Sequence, residues 1–107
     1  MTTERRAHRR QGAARPCLAF ILGPGERPLG LAVPEDVSAG GVRLLASRRF
    51  AAGESLALVP QFPHPLEGRA FPFRVARCEA LPGGGYSLAG PFLKALAREE
   101  VRALAGG

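Results

Sequence analysis

Arginines cluster within the first ten residues at a spacing suited to anion binding. The segment ERRAHRR, residues 4–10, contains the pattern R-x-x-x-R formed by Arg6 and Arg10. A guanidinium is a planar fork of N–H donors that binds phosphate or guanine bidentately and stacks on rings. Because basic runs are usually solvated, the spacing alone indicates only a positive surface that attracts phosphates.

A second motif, D-x-S-x-x-G, spans residues 36–41 and follows an apolar stretch. Asp36 is the only aspartate in the chain, and Ser38 and Gly41 complete the pattern. Asp and Ser side chains cap backbone N–H groups and glycines permit positive φ, so this motif on its own predicts a turn.

Residues for catalysis or metal binding are few. The two histidines and two cysteines have no chelating spacing. Ser38 has no neighbouring histidine and no G-x-S-x-G context. We therefore predict a protein that is not an enzyme and holds no metal or cofactor. Cys17 and Cys78 lie in apolar stretches and are expected to be buried free thiols.

The elements that would position these motifs are short strands. Prolines and glycines punctuate apolar segments rich in Leu, Val and Phe, which is typical of antiparallel strands. Six strands are predicted, at residues 16–22, 29–33 continuing toward 37, 42–46, 55–59, 69–79 and 85–89. Gly83 to Gly85 are expected to form a hairpin turn.

The hydrophobic period changes after Pro91. Apolar residues then recur at helical spacing, which predicts one amphipathic helix ended by two glycines; the apolar positions are Leu93, Leu96, Ala97, Val101 and Leu104. Six strands and one terminal helix indicate a mainly β protein, a small antiparallel barrel covered by the helix.

Length and charge distribution suggest one domain with a basic extension. A chain of 107 residues with net charge +6 carries +4 of that charge in residues 1–15, five arginines against Glu4. We expect residues 1–15 to form a flexible basic arm and residues 16–107 the barrel. No apolar run approaches the roughly 20 residues of a membrane span, and no secretory signal follows the arginines, so we expect a cytoplasmic protein.

Taken in order, the two motifs resemble those of the PilZ domain, the bacterial receptor module for cyclic di-GMP. The resemblance extends to GVRLL at 41–45, AGE at 52–54 and GYSLAGPF at 85–92. It implies a six-stranded antiparallel barrel with a terminal helix. One departure is that Gln11 and Gly12 follow Arg10 where the family usually has an aromatic and a small apolar residue or proline.

The resemblance also implies a ligand and a set of roles. Arg6 and Arg10 would contact phosphates and guanines, and Arg5 would reach a further guanine. Asp36 would accept hydrogen bonds from N1–H and N2–H of guanine, a pattern that adenine lacks. Ser38 would add a hydroxyl contact, and Gly41 would let a base approach the backbone.

The resemblance implies a single-domain regulatory receptor for cyclic di-GMP, whose arm becomes ordered on binding and which then engages or releases an effector protein. One alternative is a protein-interaction module of the same fold with a vestigial site. Another is a small basic barrel for RNA or single-stranded DNA, which the sequence disfavours because such barrels stack bases on aromatic strand residues. Only Phe71 and Phe73 cluster in a strand, where they are expected to be core.

Overall fold

The computed structural model describes residues 17–61 and 63–105, so the predicted arm at residues 1–15 lies outside the described residues. Within the described part, the chain forms seven strands, a short 3-10 turn at Pro24–Glu26 and one helix. The elements are β1 (Ala19–Leu22), β2 (Pro28–Val37), β3 (Gly41–Ala46), β4 (Ser55–Pro60), β5 (Phe71–Arg74), β6 (Arg77–Ala80), β7 (Tyr86–Pro91) and α1 (Arg98–Leu104).

The strands form one antiparallel sheet in the order β5-β4-β1-β2-β3-β7-β6. The apolar side chains of alternate strand positions point inward and form a single core. Buried residues from the strands include Ile21, Leu44, Leu58, Phe73 and Leu88. The sheet curls into a half-barrel around them, which confirms the predicted mainly β, antiparallel class with one C-terminal helix.

The segment predicted as one fifth strand, 69–79, is two strands. β5 pairs with β4, whereas β6 pairs with β7 at the opposite edge of the sheet. The change of partner occurs at Val75 and Ala76: the Val75 N–H donates to the Glu54 carbonyl at 2.9 Å, and the Ala76 N–H donates to the Ala89 carbonyl at 2.8 Å. The strand count is therefore seven rather than six, because this segment bends where the curled sheet brings its two edges together.

The end of β5 meets β7 at Gly90, just beyond the residues of β7 that pair with β6. A β-carbon at this position would lie 1.7 Å from the carbonyl oxygen of Arg74 and 3.1 Å from the amide nitrogen of Ala76. A bridge between Phe73 and Phe92 lies beside this contact. The end of β5 therefore packs directly on the backbone of β7, in a space that only glycine leaves open.

The C-terminal helix is shorter than predicted. The apolar period suggested a helix from Leu93, but α1 begins at Arg98. The amide of Leu93 donates to the Pro72 carbonyl and the amide of Leu96 donates to the Ala39 carbonyl, both at 2.9 Å. Ala97 is extended, with φ −72° and ψ 160°, so the helix begins only after it. Residues 93–97 form a non-helical segment tied to the carbonyls of Pro72 and Ala39.

Three contacts hold α1 to the rest of the chain. Leu104 is buried in the core. His64 lies in the loop after β4, and its Nε2 is 3.0 Å from the Ala103 carbonyl while its Nδ1 accepts from the Leu66 N–H at 2.9 Å. This pattern requires the neutral tautomer with the proton on Nε2. Arg69 forms an ion pair with Glu100.

Glu100 also caps the first turn of α1. Its carboxylate accepts from the Ala97 N–H at 2.8 Å, which is half of a capping box because Ala97 has no side-chain acceptor. This backbone hydrogen bond lowers the pKa of Glu100, with the contact to Arg69 acting in the same direction. The pKa of Glu100 is therefore lower in the folded protein than in the unfolded chain, so its ionised carboxylate stabilises the fold. This stabilisation is fully present above the unfolded pKa and is lost as the pH falls through the folded pKa.

We therefore expect Glu100→Gln to reduce the acid sensitivity of the fold. Between about pH 6 and pH 3, the melting temperature of the variant should fall less than that of the parent, because the variant lacks this carboxylate. Thermal denaturation across this range measures the difference. Glu99→Gln is the matched control, since Glu99 is exposed on the same turn, and it should follow the parent. Identical pH profiles for all three proteins would contradict the capping role.

Both cysteines are free. Cys17 is buried and Cys78 is half-buried, as the sequence predicted in outline. Burial raises the pKa of the Cys17 thiol to about 11. This thiol therefore stays protonated at neutral pH and is a poor nucleophile. Across the described residues, no helix is long and apolar enough to cross a membrane.

Candidate functional site

The D-x-S-x-x-G motif forms the connection between β2 and β3. The Ser38 amide donates to the Gly41 carbonyl at 2.9 Å. The Ser38 hydroxyl accepts from the Gly41 amide at 3.2 Å and lies 3.3 Å from the Gly41 carbonyl, to which it donates. Asp36, Ser38 and Gly41 are therefore brought together in one hairpin, and the serine hydroxyl closes the turn.

The segment between β7 and α1 fixes the position of this turn. The Phe92 amide donates to the Gly40 carbonyl, and the Leu96 amide donates to the Ala39 carbonyl, each at 2.9 Å. These bonds satisfy turn carbonyls that would otherwise need water. The turn is thus held from outside the hairpin, which limits its movement when a ligand approaches.

A β-bulge in β2 determines where the acidic side chains point. Pro34 lies opposite Leu44 and Asp36 lies opposite Arg43, so Glu35 is the extra residue on the bulged strand. Because the bulge interrupts the alternation, Glu35 and Asp36 are both exposed. The Asp36 side chain is 73% exposed, which leaves its carboxylate accessible to a ligand.

Arg43 lies against both carboxylates of the bulge. Its Nη2 is 3.7 Å from Asp36 Oδ2, and its Nε is 3.8 Å from Glu35 Oε1. Both distances exceed that of a hydrogen bond, so the contacts are weak ion pairs that exchange readily with solvent or ligand. The sequence interpretation did not select Arg43; its position opposite Asp36 in the pairing of β2 with β3 identifies it.

Glycines line the other side of the turn. A β-carbon at Gly41 would lie 3.0 Å from the Gly90 carbonyl oxygen, whereas one at Gly40 would have nothing within 4 Å. Gly41 therefore allows β3 to approach β7 closely. The open space over the turn is at Gly40, which the sequence interpretation had not singled out.

The register of β1 places its first residue near the end of the sheet that carries Asp36. Ala19 begins β1 and lies opposite Ala32 of β2, four residues before Asp36. Arg10 precedes Cys17 by seven residues, a stretch that reaches at most about 25 Å. Arg5, Arg6 and Arg10 themselves lie outside the described residues. The β1 entry is therefore at the end of the sheet that carries the motif aspartate.

The candidate site is an open surface. A shallow cavity of about 170 Å³ lies between β5 and the segment before α1, lined by Phe71, Pro72 and Phe92 among others, and it excludes the three motif residues of the hairpin. Within residues 17–61 and 63–105, no three His, Cys, Asp or Glu side chains group closely enough to hold a metal ion. The chemistry that this surface offers is hydrogen bonding and charge.

Comparison with known proteins identifies the family. A family model described as PilZ domain matches residues 4–105, which includes both the arginine motif and the hairpin motif. Searches of curated proteins and of solved structures returned no significant match. Since the family match covers nearly the whole length, the chain belongs to the PilZ domain family.

Proposed function

We propose that this protein is a regulatory receptor for cyclic di-GMP. The observation that carries the proposal is the juxtaposition at one end of the sheet: the exposed Asp36 carboxylate, the hairpin motif and the entry of the chain that bears R-x-x-x-R. Membership of a family of cyclic di-GMP receptors supports the ligand. The role is binding and regulation rather than catalysis.

Two kinds of side chain bind different parts of the ligand. Cyclic di-GMP has two phosphates and two guanines, so a receptor needs cations for the former and planar or acidic partners for the latter. Asp36 accepts from N1–H and N2–H of a guanine, and Arg6 and Arg10 bind phosphate and stack on the bases. Arg5 adds a contact to a further guanine, and Ser38 and Gly41 shape the turn beneath the ligand.

Binding changes the surface that the protein presents. Residues 1–15 carry a charge of +4, and the ligand carries two phosphates, so the ligand draws this segment onto the end of β2. The segment and the ligand together then cover the hairpin. An effector protein recognises one of the two surfaces, with or without ligand.

Calorimetric titration with cyclic di-GMP tests the proposal. We expect saturable binding of cyclic di-GMP and no comparable heat with GTP or cyclic di-AMP at the same concentrations. Cyclic di-AMP has the same sugar–phosphate macrocycle but carries adenine in place of guanine. The difference in affinity between the two ligands therefore measures recognition of the base. Equal binding of both cyclic dinucleotides would reduce the site to a phosphate site and would contradict the role of Asp36.

Asp36→Ala should weaken the binding of cyclic di-GMP by about 10- to 150-fold, because a lost hydrogen bond to a charged group costs roughly 1.5 to 3 kcal/mol. The preference for guanine over adenine should fall as well. The measurement is the dissociation constant for cyclic di-GMP and for cyclic di-AMP. Glu67→Ala removes an exposed carboxylate from the loop after β4 and is the matched control, with binding unchanged. Unaltered affinity in Asp36→Ala would leave Asp36 as a turn residue only.

A protein-interaction module with a vestigial ligand site is the second candidate. The outward face of the sheet carries exposed leucines, Leu18 at 49% and Leu31 at 44%. Leu31 lies opposite Phe20, and Phe20 lies opposite Val59, so these apolar residues form a continuous row across three strands. Exposed apolar surface of this kind often marks a partner site. Absence of cyclic di-GMP binding in the titration would favour this candidate.

A further inference from the structure

Four residues form a row across the outer face of the sheet. Asp36 lies opposite Arg43, Arg43 opposite Ala89, and Ala89 opposite Arg77, on the adjacent strands β2, β3, β7 and β6. Directly opposed residues of antiparallel strands point to the same face. The neighbours Leu44 and Leu88 are buried, so the row faces outward. The motif aspartate is therefore continuous with two arginines that neither motif contains.

The spacing of this row suits an anion. Adjacent strands lie about 4.8 Å apart, so the backbones at Arg43 and Arg77 are about 10 Å apart with Ala89 between them. Arginine side chains are long enough to converge over such a gap, and the small methyl group of Ala89 leaves space for a ligand between them. A phosphate above Ala89 would be within reach of both guanidinium groups.

The charges in the row leave N–H donors available. Arg43 contacts Glu35 and Asp36 only at 3.7–3.8 Å, beyond hydrogen-bond distance. Arg77 is exposed, and no carboxylate of the described residues lies within 4 Å of it. A guanidinium that has no carboxylate partner binds phosphate without first losing an ion pair.

We propose that Arg43 and Arg77 form a phosphate-binding shelf beside Asp36, which receives a phosphate of the cyclic di-GMP molecule whose guanine lies on that carboxylate. The inference rests on the proposed function and adds binding residues from β3 and β6 to those of the two motifs. The ligand then lies along the row, from the bulge of β2 toward the edge strand. Arg77 supplies a contact at the far end that does not involve Asp36.

Arg77→Ala is the decisive variant, because Arg43→Ala would also remove the ion-pair partner of Asp36. In calorimetric titrations, Arg77→Ala should bind cyclic di-GMP about tenfold more weakly than the parent, and Arg77→Glu more weakly still. Arg77→Lys should recover part of the loss because it retains the charge. The matched control is Arg49→Ala, which removes an exposed arginine beyond the other end of β3 and should stay within about twofold of the parent. Thermal unfolding verifies that each variant is folded.

The outcomes separate this inference from the function on which it rests. If the parent binds cyclic di-GMP and both Arg77→Ala and Arg49→Ala bind it as tightly as the parent, the shelf is wrong and the receptor function stands. If Arg49→Ala loses as much affinity as Arg77→Ala, the effect is one of net charge, which also overturns the shelf. Failure of the parent to bind would overturn both the function and the shelf.

Discussion

Replacement of Arg6 or Arg10 by alanine is expected to abolish or severely weaken the binding of cyclic di-GMP. Each guanidinium would bind phosphate or guanine through paired, charge-assisted hydrogen bonds, which are the strongest polar contacts available to a surface site. The loss of one such arginine costs about 10- to 150-fold in affinity, and the loss of both costs more. Isothermal titration of Arg6→Ala, Arg10→Ala and the double variant measures these effects.

Two controls distinguish the motif from its charge. Arg6→Lys keeps the charge but not the planar fork, so we expect it to bind poorly. Arg15→Ala removes one positive charge from the same basic segment outside R-x-x-x-R, and we expect it to bind nearly as well as the parent. Equal losses in Arg15→Ala and Arg6→Ala would show that residues 1–15 attract the ligand only through net charge.

Gly90→Ala should strongly destabilise the sheet. The added methyl group would lie 1.7 Å from the Arg74 carbonyl oxygen, a distance that no real contact allows. The obstacle is backbone, so no side chain can rotate away, and the junction between β5 and β7 must open. We expect a loss of about 3 kcal/mol or more in unfolding free energy. This corresponds to a fall of about 12 °C or more in melting temperature.

Gly83→Ala provides the comparison for this prediction. Gly83 lies in the turn between β6 and β7, where a β-carbon would meet nothing within 4 Å and φ is not positive. Its stability should stay within about 0.5 kcal/mol of the parent. Similar melting temperatures for both variants would mean that β5 and β7 are not in contact at Gly90.

The strands were predictable because their cause is local. The apolar segments of β3 and β4 lie between glycine- and proline-containing stretches, a signal that requires no knowledge of the partner strand. Both strands appear within a residue of their predicted bounds. The division of the fifth strand and the late start of α1 have non-local causes. Val75 and Ala76 change partners, and Leu93 and Leu96 donate to distant carbonyls. The apolar period runs through residues 93–97, so it could not show that Ala97 is extended and that this segment is tied to Pro72 and Ala39.

The candidate site shows the same limit. Asp36, Ser38 and Gly41 were recognisable as a motif, and the structure places them in one hairpin. The bulge at Glu35 was not predictable, since nothing in the sequence distinguishes an extra residue from a regular strand position. Because the bulge was not predicted, the position of Arg43 beside both carboxylates could not be predicted either. The arginine motif lies outside the described residues, so its role stays a prediction.

The attachment of the β2–β3 turn to Phe92 and Leu96 has a consequence for engineering. The motif occupies six consecutive residues, yet two of its carbonyls are satisfied by amides near the other end of the chain. A hairpin excised as a peptide would lose these donors and would not keep the shape that the whole domain gives it. Transplanting the binding motif into another sheet therefore requires transplanting residues 92–96, which supply these amides, together with the hairpin.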